Sequence, residues 1–205
     1  NGVNIDLRDG IVISAGATIG KDTTILPNTQ ICGHTTIGKG CLIGPNTVIS
    51  GSIICEGCVI DSSYVYASTT EKEVEVGPYC HIDSSCHLLM RSRVLSYSKL
   101  RSTTLGVGST VHEHSTIIDT EIGQRVTIGT GVRTVNYDGK KVTECKIADD
   151  AFIGTGVNLI APLTIGAGSY IAAGSTITDD VNSGALAIAR QYQSNHEGWA
   201  RRRKK

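Results

Sequence analysis

Isoleucine falls at every sixth position near the start of the chain: Ile13, Ile19, Ile25, Ile31, Ile37, Ile43 and Ile49. An amphipathic helix places apolar residues about every 3.6 positions, and a half-buried strand places them at every second one. A period of six satisfies neither. It predicts a parallel β-helix, in which short strands of about six residues each form one face of a narrow prism. The rhythm returns in Val76, Ile82, Leu88, Val94 and Leu100, then in Leu105, Val111 and Ile117, then in Ile122 and Ile128. It closes with Ile147, Ile153, Leu159, Ile165, Ile171 and Ile177.

The unit reads Ile-Gly-x-x-small-x, as in Ile37-Gly38-Lys39-Gly40-Cys41-Leu42. The aliphatic points into the prism. The residue two before the next aliphatic also points inward, at a corner too tight for a large side chain. Gly-rich pairs supply the turns, where positive φ is cheap without a Cβ. Three strands make a coil of about 18 residues, and stacking buries what one coil cannot bury alone. The repeats from Ile11 to Ile177 predict roughly nine coils. The reading is therefore all-β, with residues 1–184 as the repeat domain and 185–205 as a C-terminal tail.

Composition adds limits. Aromatics are 4% of the 205 residues and Gly numbers 24, as a narrow, turn-rich prism requires. Formal net charge is zero, but Arg201, Arg202, Arg203, Lys204 and Lys205 form a basic end; without them 14 basic residues face 19 acidic ones. That end reads as a solvated, partly disordered terminus rather than a nucleic-acid arm. No run approaches 18 apolar residues, so no membrane span is expected. The chain starts at Asn1 without Met and reads as the C-terminal piece of something longer. Cys41, Cys58, Cys80, Cys86 and Cys145 fall on the small inward slot, where Cys acts as a small hydrophobe; only Cys32 and Cys55 fall elsewhere. An odd count without a disulfide framework fits a reducing cytoplasm.

The pattern breaks twice, at Asp61–Glu75 and at Arg133–Glu144. The first reads as a tolerated surface insertion. The second holds Asn136-Tyr137-Asp138-Gly139-Lys140-Lys141, a turn sequence with an exposed aromatic, and is expected to protrude and to serve function. A third feature is His112-Glu113-His114 inside a regular coil, a cluster suited to general-base work because His titrates near neutrality.

Several segments resemble one family. They are Thr134-Val135-Asn136-Tyr137-Asp138-Gly139, Ile147-Ala148-Asp149-Asp150-Ala151-Phe152-Ile153-Gly154, Leu159-Ile160-Ala161-Pro162-Leu163-Thr164-Ile165-Gly166 and the end Ala185-Leu186-Ala187-Ile188-Ala189-Arg190 with Glu197-Gly198-Trp199. The chain resembles the C-terminal domain of the bacterial bifunctional N-acetylglucosamine-1-phosphate uridyltransferase/glucosamine-1-phosphate acetyltransferase. The resemblance implies a left-handed β-helix and a homotrimer with sites between subunits. It also implies acetyl-coenzyme A as co-substrate and a uridyltransferase domain ahead of residue 1. By the same resemblance Asn136, Tyr137, Thr155, Ala173 and Arg190 contact acetyl-coenzyme A.

The acceptor side departs from the family pattern. Where the family carries its catalytic His, this chain has Glu113, flanked by His112 and His114. The family's partner Tyr becomes Thr116, its sugar-phosphate Arg becomes Asp83, its Lys pair becomes Arg101-Ser102 and its acceptor Asn becomes Thr127. Lys141 keeps a recognisable place. The expectation is an N-acetyltransferase acting on an amino-sugar phosphate, with Glu113 or His114 as base, His112 third, and Lys141 and Arg101 on the acceptor. The alternatives are a non-catalytic trimerisation module and a metal-dependent enzyme using His81, His87, His112 or His114.

Overall fold

In the computed structural model, which describes residues 2–5, 9–197 and 199, the chain winds into an all-β parallel β-helix of the left-handed hexapeptide-repeat type. A sheet of ten strands covers one face, and a sheet of 17 strands wraps the other two. Ten rungs on one face exceed the nine coils expected. Most strands are only two or three residues long, such as Thr110–Val111 and Thr127–Ile128. β-branched residues dominate them, because a branched side chain packs well on a pleated surface.

Like stacks on like from coil to coil. Ile13, Ile31, Ile49, Val65, Ile82, Leu100 and Ile117 pair in succession down one face. From Ile31 onward each of these is fully buried. Burying one such side chain contributes about 1.5–3 kcal/mol. The second inward slot is filled by small residues, and Cys41, Cys58, Cys80, Cys86 and Cys145 lie there, each 3% exposed or less. Cys32 and Cys55 are half-buried. Hydroxyls in the same slot join coils. Ser115 Oγ donates to the Gly129 carbonyl at 3.0 Å and accepts from the Val132 N–H at 3.3 Å.

The first expected break does not exist. Tyr64–Tyr66 and Thr69–Thr70 are regular rungs, and Val65 and Thr70 are fully buried on the prism axis. The faces 59–63 and 64–68 hold five residues instead of six, and Thr70 takes an aliphatic's place; a count by sixes loses register at both. The second break is real but begins later. Arg133–Val135 is still a rung, pairing with Asn158–Ile160, and the loop leaves the prism at Asn136. It folds back through an antiparallel bridge between Tyr137 and Val142.

Three edges separate the faces, and each is a column of residues with positive φ. The first edge carries Asn28, Asn46, Ser62, Tyr79, Tyr97, His114, Gly131, Gly156 and Gly174. The second carries Gly33, Gly51, Ala67, Ser102 and Asp119, and the 136–144 loop springs from it. The third carries Glu73, Arg91, Arg125 and Asp150 among glycines. At the far end the ladder runs past residue 184: Leu186–Ala187 pairs with Tyr170–Ile171. Beyond it Ile188–Glu197 is exposed. The basic end at 201–205 lies outside the described residues.

Candidate active site

The first edge brings together most of the residues singled out by sequence. His112, Glu113 and His114 turn the corner after the strand Thr110–Val111. One coil on, the Gly131 N–H donates to the Glu113 carbonyl at 2.9 Å. The Gly156 N–H then donates to the Thr130 carbonyl at 2.8 Å, and the Gly174 N–H to the Thr155 carbonyl at 2.9 Å. Finally the Arg190 guanidinium donates through Nη1 to the Ala173 carbonyl at 2.7 Å. Glu113, Thr130, Thr155, Ala173 and Arg190 therefore mark successive coils of one edge. A Cβ built on Gly131, Gly156 or Gly174 meets nothing within 4 Å, so the edge is an open track over bare backbone.

The Glu113 carboxylate accepts a hydrogen bond from Thr130 Oγ1 at 3.0 Å and lies 3.8 Å from His112 Nδ1. Backbone hydrogen bonding at Glu113 itself, the Thr130 hydroxyl and the two flanking histidines hold its carboxyl below the ordinary carboxylate range. Such a group is a fixed anion and a weak base. At 3.8 Å His112 Nδ1 is beyond hydrogen-bond reach of the carboxylate, so the two meet as an electrostatic contact. The His114 ring does something else. It lies parallel to Tyr97, with centroids 5.0 Å apart and planes within 2°, and Tyr97 stacks on Tyr79 at 5.1 Å.

The remaining candidates lie elsewhere. Asn136, Tyr137 and Lys141 belong to the loop on the second edge. Asn136 is tied there by its amide to the Asp119 carboxylate, and Asp138 folds the loop tip by accepting from the Lys140 and Lys141 N–H groups at 2.8 and 2.9 Å. Arg101 sits in the rung Lys99–Leu105, opposite Ile118 and just before the second edge. Sequence reading missed Thr130, which holds Glu113; Tyr79 and Tyr97, which carry His114; and Asp119, which anchors Asn136. Their signal is a spacing of one coil, 17 or 18 residues, rather than any local motif. Among the described residues no group of three or more His, Cys, Asp or Glu could hold a metal ion. No described helix is long and apolar enough to cross a membrane.

The bacterial transferase hexapeptide family (six repeats) matches residues 16–51 and 144–179. The chain belongs to the hexapeptide-repeat family. Over 190 residues it is 46% identical to the bifunctional protein GlmU of an Exiguobacterium species, covering 93% of this chain and 42% of that protein. Over 203 residues it is 43% identical to GlmU of Caldanaerobacter subterraneus, covering 99% of this chain and 44% of that one. The match falls on the C-terminal acetyltransferase domain of these relatives, so the hexapeptide-repeat chain spans less than half their length. Among solved structures, the Francisella novicida UDP-N-acetylglucosamine acyltransferase aligns with a TM-score of 0.51 at 15% identity, over 90% of this chain and 66% of that one. At that identity the likeness bears on the fold alone.

Proposed function

We propose that this chain is an acetyl-coenzyme-A-dependent N-acetyltransferase domain whose acceptor is an amino-sugar phosphate of the glucosamine-1-phosphate kind, within nucleotide-sugar synthesis. The observation that carries the reading is the single open edge that strings Glu113, Thr130, Thr155, Ala173 and Arg190 on successive coils. The track suits an extended pantetheine arm. Arg190 uses one nitrogen on Ala173 and turns the rest of its fork to phosphate oxygens. The thioester end then reaches Glu113 and His112.

There the acceptor nitrogen attacks the thioester carbonyl while His112 Nε2 takes a proton from it. The carbon–sulfur bond breaks, and the departing coenzyme A thiolate recovers that proton. Glu113 keeps its charge throughout and stabilises the imidazolium that His112 becomes. Asn136, Tyr137 and Lys141 leave the prism at a different edge from Arg190, so a site using both sets is completed by a second copy; this supports the homotrimer. A preceding uridyltransferase domain fits relatives about twice as long. Seven free cysteines fit a reducing cytoplasm.

A second reading is a non-catalytic trimerisation and regulatory module. It is favoured by Glu113 standing where the resemblance puts a catalytic His, and by Asp83 standing where it puts an Arg. Incubation with acetyl-coenzyme A and a panel of amines, read by product mass, separates the two. Acetylated glucosamine-1-phosphate supports the first. Bound acetyl-coenzyme A with no acetylated amine supports the second.

A further inference from the structure

The first edge holds a column of three rings. Tyr79, Tyr97 and His114 stack at 5.1 and 5.0 Å, and the last pair is parallel within 2°. All three sit at φ near +60°, a conformation that is costly for a side chain with a Cβ. The same edge uses Asn28, Asn46 and Ser62 before them and Gly131, Gly156 and Gly174 after them. Glu73, Arg91 and Arg125 share that backbone on another edge, so what sets these three residues apart is the stacking of their rings.

The column stops abruptly. The next position is Gly131, where a Cβ would meet nothing within 4 Å. Adjacent strands lie about 4.8 Å apart, which is also the spacing of stacked rings. One ring-sized berth is therefore left against the face of His114 turned toward Gly131. Among the described residues another stacked pair on neighbouring coils, Phe152 on Tyr170 at 4.4 Å, differs in its end: the next rung presents Leu186. The berth by His114 is bordered by the Glu113 carboxylate and the Thr130 hydroxyl that binds it.

We propose that His114 is a stacking platform for the acceptor: a six-membered ring bearing a primary amine lies on its open face, over Gly131, with the nitrogen toward Glu113. This rests on the acceptor reading above and gives His114 a positioning role, in place of the role of base. The ring gains contact with a π face, and an amine arriving as its ammonium gains both the carboxylate and the quadrupole of the column; it releases one proton to water before it attacks. A pyranose offers the C–H face of its chair and an aromatic ring its π face, so both belong to the class.

The test is calorimetric binding of glucosamine, glucosamine-1-phosphate, benzylamine and methylamine to the chain, with coenzyme A present. Wild type is compared with His114→Gly and His114→Phe, and acetyl-coenzyme A binding is measured separately for each. Gly suits the left-handed backbone, so the first variant keeps the fold; Phe restores a ring without an imidazole. Expected is a loss of roughly 2- to 10-fold for the ring amines in His114→Gly, recovery to within about twofold in His114→Phe, and no change for methylamine. Tighter binding of benzylamine than of glucosamine assigns an aromatic ring, and the reverse assigns a sugar; both support the platform. Three results overturn it: no ring amine bound at millimolar concentration, equal losses for methylamine, or His114→Phe as weak as His114→Gly. Ring-dependent amine binding without acetyl-coenzyme A binding keeps the platform and removes the acyltransferase reading.

Discussion

Thr130 Oγ1 donates to the Glu113 carboxylate across one coil, at 3.0 Å. The two residues are 17 positions apart and meet only because the prism stacks their coils. The bond is one cause of the low Glu113 pKa. Replacing Thr130 by Val keeps the shape and removes the donor, so the Glu113 pKa rises toward the ordinary carboxylate value. A folded-state pKa below the unfolded one contributes stability above the unfolded pKa, and that contribution is lost as pH falls through the folded pKa. Thr130→Val therefore moves the Glu113 part of acid sensitivity to higher pH. Carboxyl-resolved NMR titration of both proteins reads the shift; an unchanged Glu113 curve contradicts the assignment.

Two glycines of one turn, Gly106 and Gly108, separate close approach from backbone strain. A Cβ on Gly106 would collide with the Gly123 carbonyl of the next coil. Gly108, at φ +65°, has nothing within 4 Å of that position. Gly108→Ala is expected to cost about 1–2 kcal/mol, the usual strain of a Cβ in left-handed backbone. Gly106→Ala is expected to cost more, because backbone cannot move aside as a flexible side chain does. Chemical denaturation orders the two; a milder Gly106→Ala would show that the coils are free to separate there.

Native thiol labelling reports the inward slot. Cys32 and Cys55 are half-buried, while the other five cysteines are buried. Burial pushes the Cys86 and Cys145 thiols up to about 11, which suppresses thiolate as well as access. Mass spectrometry after brief alkylation at neutral pH is expected to find label on Cys32 and Cys55 first, with Cys80, Cys86 and Cys145 protected until unfolding. Early label on Cys86 would place its slot outside the core.

The loop anchor makes a fourth prediction. Asn136 ties the loop to Asp119, and the Thr143 N–H returns to the Asn136 carbonyl at 2.8 Å. Asn136→Ala is expected to speed proteolysis within 137–142 while leaving the melting temperature of the prism nearly unchanged, since the loop lies outside the stacked coils. A large fall in melting temperature would show that the loop supports the prism.

The prism was legible because one inward aliphatic per six residues has no other explanation, and the slot cysteines followed from the same count. The stretch 61–75 reads as a break in sequence because two faces there hold five residues and Thr70 replaces an aliphatic, and a count by sixes has no allowance for fives. At the site, the resemblance supplied Thr155, Ala173 and Arg190, but only stacking put them on one edge with Glu113. The Thr130–Glu113 bond and the Tyr79–Tyr97–His114 column depend on contacts one coil apart, where a local motif carries no sign of them. The candidate edge is a regular one, while the loop that interrupts the pattern springs from another.

The most direct test is a crystal structure with acetyl-coenzyme A. The account predicts the pantetheine along Thr155 and Ala173, phosphate oxygens at Arg190, and the thioester over Thr130 beside Glu113 and His112. Acetyl-coenzyme A lying along the third edge, among Arg91, Arg125 and Asp150, would contradict it.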